Sequence, residues 1–71
     1  MEMKMRIKIL DIQKNEEIWL KVREWITIER ALAMAEIPSY RMVMRERNRA
    51  RLLVSPNSKL EQWDIVVVWV R

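Results

Sequence analysis

The sequence of 71 residues contains no cysteine, no histidine, no glycine and no phenylalanine. Without cysteine there is no disulfide, no thiolate nucleophile and no zinc–thiolate cluster. Without histidine the chain lacks the commonest general base and the commonest metal ligand. Without glycine it has no phosphate-binding glycine loop and no residue that adopts positive φ without strain. We therefore expect no enzyme activity, no cofactor and no metal.

Long apolar runs are also absent. The longest, residues 65–70, is six residues long, whereas a membrane-spanning helix needs about 20. Near the N-terminus Lys4, Arg6 and Lys8 alternate with apolar residues, which is not the pattern of a signal-peptide core. We expect a soluble, cytoplasmic chain with no targeting signal and no membrane partner. Its net charge of +4 permits anionic partners.

The first third of the chain predicts a β-hairpin. Apolar residues alternate with cationic residues over 3–9, and they alternate with mostly polar residues over 18–23. A period of two is typical of strands that bury one face. The polar stretch 13–16 between them is typical of a turn.

The next segment predicts the single helix, over residues 28–37. From Ile28 to Ala35 the apolar residues recur at i, i+3, i+4 and i+7, which places them on one face of a helix. Thr27 is suited to cap the first turn with its hydroxyl oxygen. Pro38 ends the helix because its ring has no N–H and clashes with the preceding turn.

A period of two returns after the helix, over 41–45 and 51–55, with a turn at Asn48 and Arg49. Residues 64–71 are apolar on both faces, as in a strand that is covered on both sides or paired in parallel. We expect Trp69 in the core, Leu60 and Trp63 turned inward, and four methionines as gap-filling core residues. These methionines are Met3, Met5, Met42 and Met44. The order ββαββ(β) predicts one α+β domain over residues 1–71, with a mixed sheet and one helix on one face.

This order resembles the ubiquitin-like β-grasp fold, and among its members the ThiS and MoaD type of sulfur carriers and the related TGS domains. The residues that carry the resemblance lie around the helix, in the hairpin turn and before the last strand. They are Thr27, Ile28, Leu32, Ile37, Pro38, Asn48, Leu60 and Asp64. The resemblance implies a last strand parallel to the first.

The departures from these carriers concern glycine. Where they have Asn-Gly in the hairpin turn, this chain has Asn48-Arg49, and where they have Asp-Gly-Asp it has Gln62-Trp63-Asp64. They end in a flexible Gly-Gly that is activated at its carboxylate, whereas this sequence ends in Val70-Arg71. We therefore expect no sulfur-carrier activity.

The concentrated positive charge lies in the second predicted hairpin. On strands of one parity its five arginines would project from one face and bind phosphates, as in a TGS-like RNA-binding module. The other interpretation is a solvated outer face that protects exposed strand edges. These arginines are Arg41, Arg45, Arg47, Arg49 and Arg51.

Four tryptophans are many for this length. Trp19 is on the polar side of its predicted strand, beside Lys21 and Arg23, so we expect it to be partly exposed. There it either anchors a partner, as tryptophan does in binding hot spots, or packs against a neighbouring cationic side chain.

These observations predict a non-catalytic ubiquitin-like β-grasp domain. The missing glycine, histidine, cysteine and phenylalanine favour a designed or redesigned sequence with no evolved activity, because natural turns use glycine wherever φ is positive. Two alternatives are a natural protein-interaction module derived from a sulfur carrier, which binds partners through its sheet face, and the RNA-binding module described above.

Overall fold

The structure is a computed structural model, and it describes residues 4–37 and 39–70. Over these residues it forms five strands and one helix, so the predicted α+β class with a mixed sheet is confirmed. In chain order they are β1 (Lys4–Asp11), β2 (Glu16–Arg23), α1 (Ile28–Met34), β3 (Tyr40–Arg47), β4 (Ala50–Leu53) and β5 (Ile65–Val70). The expectations for Met3 and Pro38 lie outside the described residues. Within the described ranges, no helix is long and apolar enough to span a membrane.

The five strands form one sheet in the order β2-β1-β5-β3-β4. The central strands β1 and β5 are parallel, and the other three pairings are antiparallel. On β5, Val66 and Val68 join the main core, while Val67 is buried on the opposite face of the sheet. The predicted parallel pairing of the last strand is therefore confirmed, whereas its second face is covered only in part, because Val67 is buried there but Trp69 is 40% exposed.

The helix covers one face of the sheet through Ile28, Ala31 and Leu32, which are fully buried. The residues that complete this core come from four strands and the loops beside them. They are Met5, Ile7, Ile9, Val22, Ile37, Val43, Leu60, Val66 and Val68. The other face of the sheet has no helix over it within the described chain, and we call it the open face.

Both ends of α1 follow from local hydrogen bonding. The Thr27 hydroxyl accepts a hydrogen bond from the Arg30 N–H at 3.3 Å, which confirms the predicted cap. The helix ends at Met34, before the predicted residue 37, because Glu36 adopts a φ of 61°. The N–H of Ile37 then bonds to the Leu32 carbonyl at 2.9 Å, in the pattern that usually carries glycine at the left-handed position.

Among the described residues, six adopt positive φ although none of them is glycine. They are Asn15, Trp25, Glu36, Asn48, Arg49 and Trp63. This conformation costs a residue other than glycine roughly 1–2 kcal/mol, and less for asparagine. The resemblance leads us to expect glycine at the positions of Arg49 and Trp63. The backbone has positive φ at both, which is the conformation that favours glycine.

Several predictions about the apolar residues are wrong. Trp63 and Trp69 are 60% and 40% exposed. Trp69 alternates with the buried Val68 along β5, so it faces away from the helix. Met42 and Met44 are opposite Trp69 and Val67 and therefore share the open face. By contrast, Leu60 and Met5 are buried, as predicted.

Candidate functional site

The five arginines predicted to form one stripe are divided between the two faces of the sheet. In the β3–β4 hairpin Arg51 is opposite Glu46 and Leu52 is opposite Arg45, so Arg51 lies on the open face and Arg45 on the helix side. The prediction of one stripe is wrong because the two-residue turn pairs odd-numbered residues with even-numbered ones. Whether these arginines contact nucleic acid stays a prediction.

A buried carboxylate holds two of these arginines. Asp64, which is 5% exposed, accepts from the Arg47 Nη2 at 3.1 Å and has the Arg45 Nε at 3.5 Å. Arg47 Nη2 also bonds to Glu61 at 3.0 Å. The N–H of Glu61 donates to Asp64 at 2.7 Å, which joins the loop before β5 to this cluster. The charges of Arg45 and Arg47 therefore hold the hairpin to the loop.

On the open face of the hairpin, Arg51 is also paired. Arg51 Nε donates to Glu46 at 2.9 Å across the two strands. Arg41 lies at an irregularity in the β3–β5 register, and Arg49 lies in the turn. Three of the five predicted arginines thus already have an acidic partner within the chain.

A different set of cations lines a cleft on the open face of β1 and β2. Arg6 is opposite Lys21 in the register of these strands, and Lys8 is opposite Trp19. Trp63, in the loop before β5, forms the other wall. The cleft has a volume of about 380 Å³ and is lined by Arg6, Trp19, Leu20, Lys21 and Trp63.

Two hydrogen bonds of the Arg6 backbone position the Trp63 loop beside it. The N–H of Trp63 donates to the Arg6 carbonyl at 2.7 Å, and the N–H of Arg6 donates to Gln62 Oε1 at 2.6 Å. With a φ of 67° the backbone turns at Trp63, so the indole projects over β1 rather than into the core. The loop is therefore fixed while its indole remains 60% exposed.

Trp19 forms the opposite wall and is 59% exposed, so its predicted partial exposure is confirmed. The Lys8 ammonium lies 5.6 Å from the centre of the indole, within the range of a cation–π interaction. The same ammonium is 3.4 Å from a carboxylate oxygen of Glu17. Lys8 therefore supports Trp19 and neutralises the nearest acid on β2.

The electrostatics of the cleft are cationic. None of its lining residues is acidic, and Arg6 and Lys21 have no ion pair shorter than 4.0 Å among the described side chains. Sequence patterning indicated the cationic face of β1 and named Trp19, but it missed Arg6 and Trp63 as site residues. The alternation of Lys4, Arg6 and Lys8 was the signal for Arg6, whereas no local signal indicated that Trp63 faces outward.

A second cleft provides a contrast. It lies around Trp25, has a volume of about 450 Å³ and includes Glu24 and Glu61 in its lining. Trp25 is 72% exposed, and the Lys59 ammonium is 5.2 Å from its ring centre. Because two carboxylates line this cleft, it is a poorer site for an anion than the cleft between Trp19 and Trp63.

Apart from the Glu46–Arg51 ion pair, the open face beyond the cleft carries an apolar patch. It extends from β1 across β5 and β3 to β4, and includes Leu10, Met42, Met44, Leu53, Ile65, Val67 and Trp69. Leu53 is 71% exposed at the outer edge. The open face is therefore divided into a cationic part with exposed indoles and an apolar part.

No protein-family model, no curated protein and no solved structure matches this chain. The described residues contain no group of three or more acidic side chains that could hold a metal ion. Fold and cleft together define the class: a small α+β domain whose open sheet face carries a cationic cleft between two exposed indoles.

Proposed function

We propose that the chain is a non-catalytic β-grasp domain that binds single-stranded nucleic acid in the cleft between Trp19 and Trp63. The β-grasp assignment is supported by the strand order β2-β1-β5-β3-β4, by the parallel central pair and by the single helix on one face. The observation that carries the binding proposal is the Arg6–Lys21 pair between two exposed indoles.

Each part of the cleft suits one part of a nucleotide. Indole faces stack on nucleobases, with a contribution of about 1–3 kcal/mol per base. Arg6 and Lys21 neutralise the adjacent phosphates and release their counterions. A single strand fits better than a duplex because only unpaired bases are available to stack on side chains.

The test is a titration of a fluorescently labelled oligouridine with the protein, followed by anisotropy at low salt. We expect Trp63→Ala to weaken binding about tenfold, which corresponds to the loss of one stacked base. The matched control is Trp25→Ala, which removes an indole of similar exposure from the acidic cleft. Equal losses in both variants, or no binding by the unmodified protein, would contradict the proposal.

The φ angles of the turns also support the proposal that this is a designed or redesigned sequence. Its turns have a conformation that suits glycine, but other residues occupy them. Six of the residues that the structure describes adopt positive φ without being glycine, and two of them are tryptophans, Trp25 and Trp63. Because glycine adopts positive φ without strain, we expect glycine at these positions to raise stability. A cytoplasmic location stays a prediction.

The apolar part of the open face favours a second candidate function, a protein-interaction module. Leu53 and Trp69 are 71% and 40% exposed there, and exposed apolar patches commonly mark interaction surfaces. Amide chemical-shift changes on adding oligouridine distinguish the two candidates. Changes around Arg6 and Trp63 support the nucleic-acid site, whereas a nucleic acid that shifts only Leu53 and Trp69 contradicts it.

A further inference from the structure

Strand β4 forms one edge of the sheet and exposes a leucine on each face. Leu52 is 66% exposed on the helix side, and Leu53 is 71% exposed on the open face. The one charged residue of β4, Arg51, already has Glu46 as its partner. Native edges are usually protected by charged side chains, proline or bulges, and an apolar edge without them is a site of pairing with another strand. A strand added to β4 would cover exposed apolar side chains on both faces.

The hydrogen bonds of the β3–β4 hairpin show which backbone groups of β4 point away from β3. The N–H of Val54 donates to the Val43 carbonyl at 3.4 Å. Because antiparallel pairs alternate between bonded and non-bonded, the even-numbered residues of β4 bond to β3. The N–H and C=O groups of Arg51 and Leu53 consequently point outward, and none of them bonds to another described segment.

We propose that β4 pairs antiparallel with β4 of a second copy of this chain, with Leu52 opposite Leu52 on the twofold axis. In this register Arg51 is opposite Leu53, and the axis repeats the pair. Both residues present outward backbone groups, so each pair exchanges two hydrogen bonds. The pairing uses only these backbone groups, and it leaves the ion pair between the side chains of Arg51 and Glu46 intact.

On the helix side this register brings apolar side chains together. Leu52 meets its own copy in a non-hydrogen-bonded pair, the kind in which facing side chains are closest. Val54 is opposite Ala50 of the second copy, and Val54 already packs against the core of its own chain. Pairing therefore extends each core across the axis and covers Leu52, which is otherwise largely accessible to water.

On the open face the same register joins the apolar parts of the two copies. Leu53 lies beside the alkyl stem of Arg51 from the second copy and diagonally next to the second Leu53. Each Arg51 guanidinium already has the Glu46 carboxylate at 2.9 Å, so the two arginines approach without unpaired charge. The apolar part of the open face then continues from one copy to the other.

Neighbouring registers are less complementary. A shift of one residue places the outward groups of β4 opposite groups that already bond to β3. With Arg51 on the axis, two guanidinium groups are directly opposite each other, which is repulsive. With Leu53 on the axis, Arg51 is opposite Ser55, whose carbonyl already accepts from the Ser58 N–H at 2.9 Å. The register with Leu52 on the axis is therefore the one that satisfies all the outward groups.

The resulting dimer is a continuous ten-stranded sheet with both helices on one side, because the twofold axis is perpendicular to the sheet. An interface of one short strand buries less than the roughly 1,200 Å² at which standard interfaces begin, so the dimer is a weak one. The cleft between Trp19 and Trp63 lies towards the other edge of the sheet. The inference goes beyond nucleic-acid binding and stands or fails independently of it.

The experiment measures the dimer dissociation constant of the full chain by sedimentation equilibrium, at concentrations up to about 1 mM. Leu52→Lys and Leu52→Glu each place two like charges opposite each other on the axis, and we expect each to raise the dissociation constant at least about tenfold. An equimolar mixture of the two variants places opposite charges on the axis, so we expect it to associate more tightly than either variant alone. Such a rescue is specific to a residue that meets its own copy.

Two controls match the changes of charge at an apolar residue of similar exposure. Met34→Lys and Met34→Glu alter the end of the helix, where Met34 is 55% exposed, and we expect neither to change the dissociation constant, alone or mixed. Circular dichroism establishes that every variant is folded. A monomer at every concentration, or a rescue by mixed charge variants of Leu53 but not of Leu52, would overturn the proposal.

Hydrogen exchange on the unmodified chain provides a test that needs no variant. Pairing at β4 protects the outward amides of Arg51 and Leu53 as protein concentration rises. The amides of Leu52 and Val54 already bond to β3 and serve as internal references. Exchange at Arg51 and Leu53 that does not depend on concentration, or protection that appears on β2 instead, would also overturn the proposal.

Discussion

The two hairpins of the sheet are both rich in cations, but they use them differently. In the β3–β4 hairpin Arg45, Arg47 and Arg51 have acidic partners within the chain. In the β1–β2 hairpin Arg6 and Lys21 line a cleft that has no carboxylate among its described lining residues. The denser cluster along the sequence is thus the less available one. Charge that a ligand can use depends on which acids the fold brings near, and only weakly on how many cations are consecutive.

The largest expected effect comes from removing the acid that neutralises the second hairpin. Asp64→Asn keeps the shape of the side chain but leaves the largely buried Arg45 without its counter-charge. Breaking a buried pair in this way costs about 3 kcal/mol, so we expect the free energy of unfolding to fall by about that amount. Urea unfolding followed by circular dichroism measures it.

The matched control for Asp64→Asn is Glu46→Gln. It removes a carboxylate from the more exposed pair with Arg51, where the expected loss is below about 1 kcal/mol. A loss for Asp64→Asn as small as that of the control would mean that the Asp64 cluster does not hold the hairpin.

The second prediction gives the cleft an acid of its own. Arg6→Glu places a carboxylate opposite Lys21. The cleft then loses the charge of Arg6, and the charge of Lys21 is neutralised by the new carboxylate. We expect affinity for oligouridine to fall at least about tenfold, because two phosphate contacts are lost. The control Arg49→Glu makes the same change of charge in the other hairpin. If that control weakens binding more, the arginine-rich hairpin is the nucleic-acid site.

The strand and helix order was predictable because each element carries its own period. The alternation on β1 and the spacing from Ile28 to Ala35 indicate which face of each element is buried. Strand β5 is apolar on both faces, which indicated its place in the middle of the sheet. Trp63 and Trp69 were not predictable in the same way. Their apolar character suggests burial, but the backbone turn at Trp63 and the parity of β5 direct both to the open face.

The candidate site was predictable only in part for the same reason. Trp19 and the cationic face of β1 follow from local alternation. The neutralisation of Arg45 and Arg47 by Asp64 joins residues 17 or more positions apart, and no local pattern indicates it. The parity reversal at the two-residue turn is likewise a property of backbone geometry at Asn48 and Arg49.

The third prediction concerns the turn of the β3–β4 hairpin. Both residues of the β3–β4 turn have positive φ, and Arg49→Gly relieves the strain at 66°. We expect the free energy of unfolding to rise by about 1 kcal/mol, with unchanged binding of oligouridine. Asn48→Gly is the control, with a smaller gain because asparagine tolerates this conformation. A fall in affinity with Arg49→Gly would assign a phosphate contact to the turn.

The smallest expected effect is on the salt dependence of binding. Each phosphate contact to a single strand contributes about 0.7 to the slope of log affinity against log salt concentration. Arg6→Ala removes one contact, so we expect the slope to decrease by about that amount, whereas Arg41→Ala leaves it unchanged because Arg41 lies outside the cleft. Anisotropy titrations over a series of salt concentrations measure both slopes. Equal slopes for Arg6→Ala and the unmodified protein would remove Arg6 from the site, even if Trp63→Ala still weakened binding, and would leave stacking as the main source of affinity.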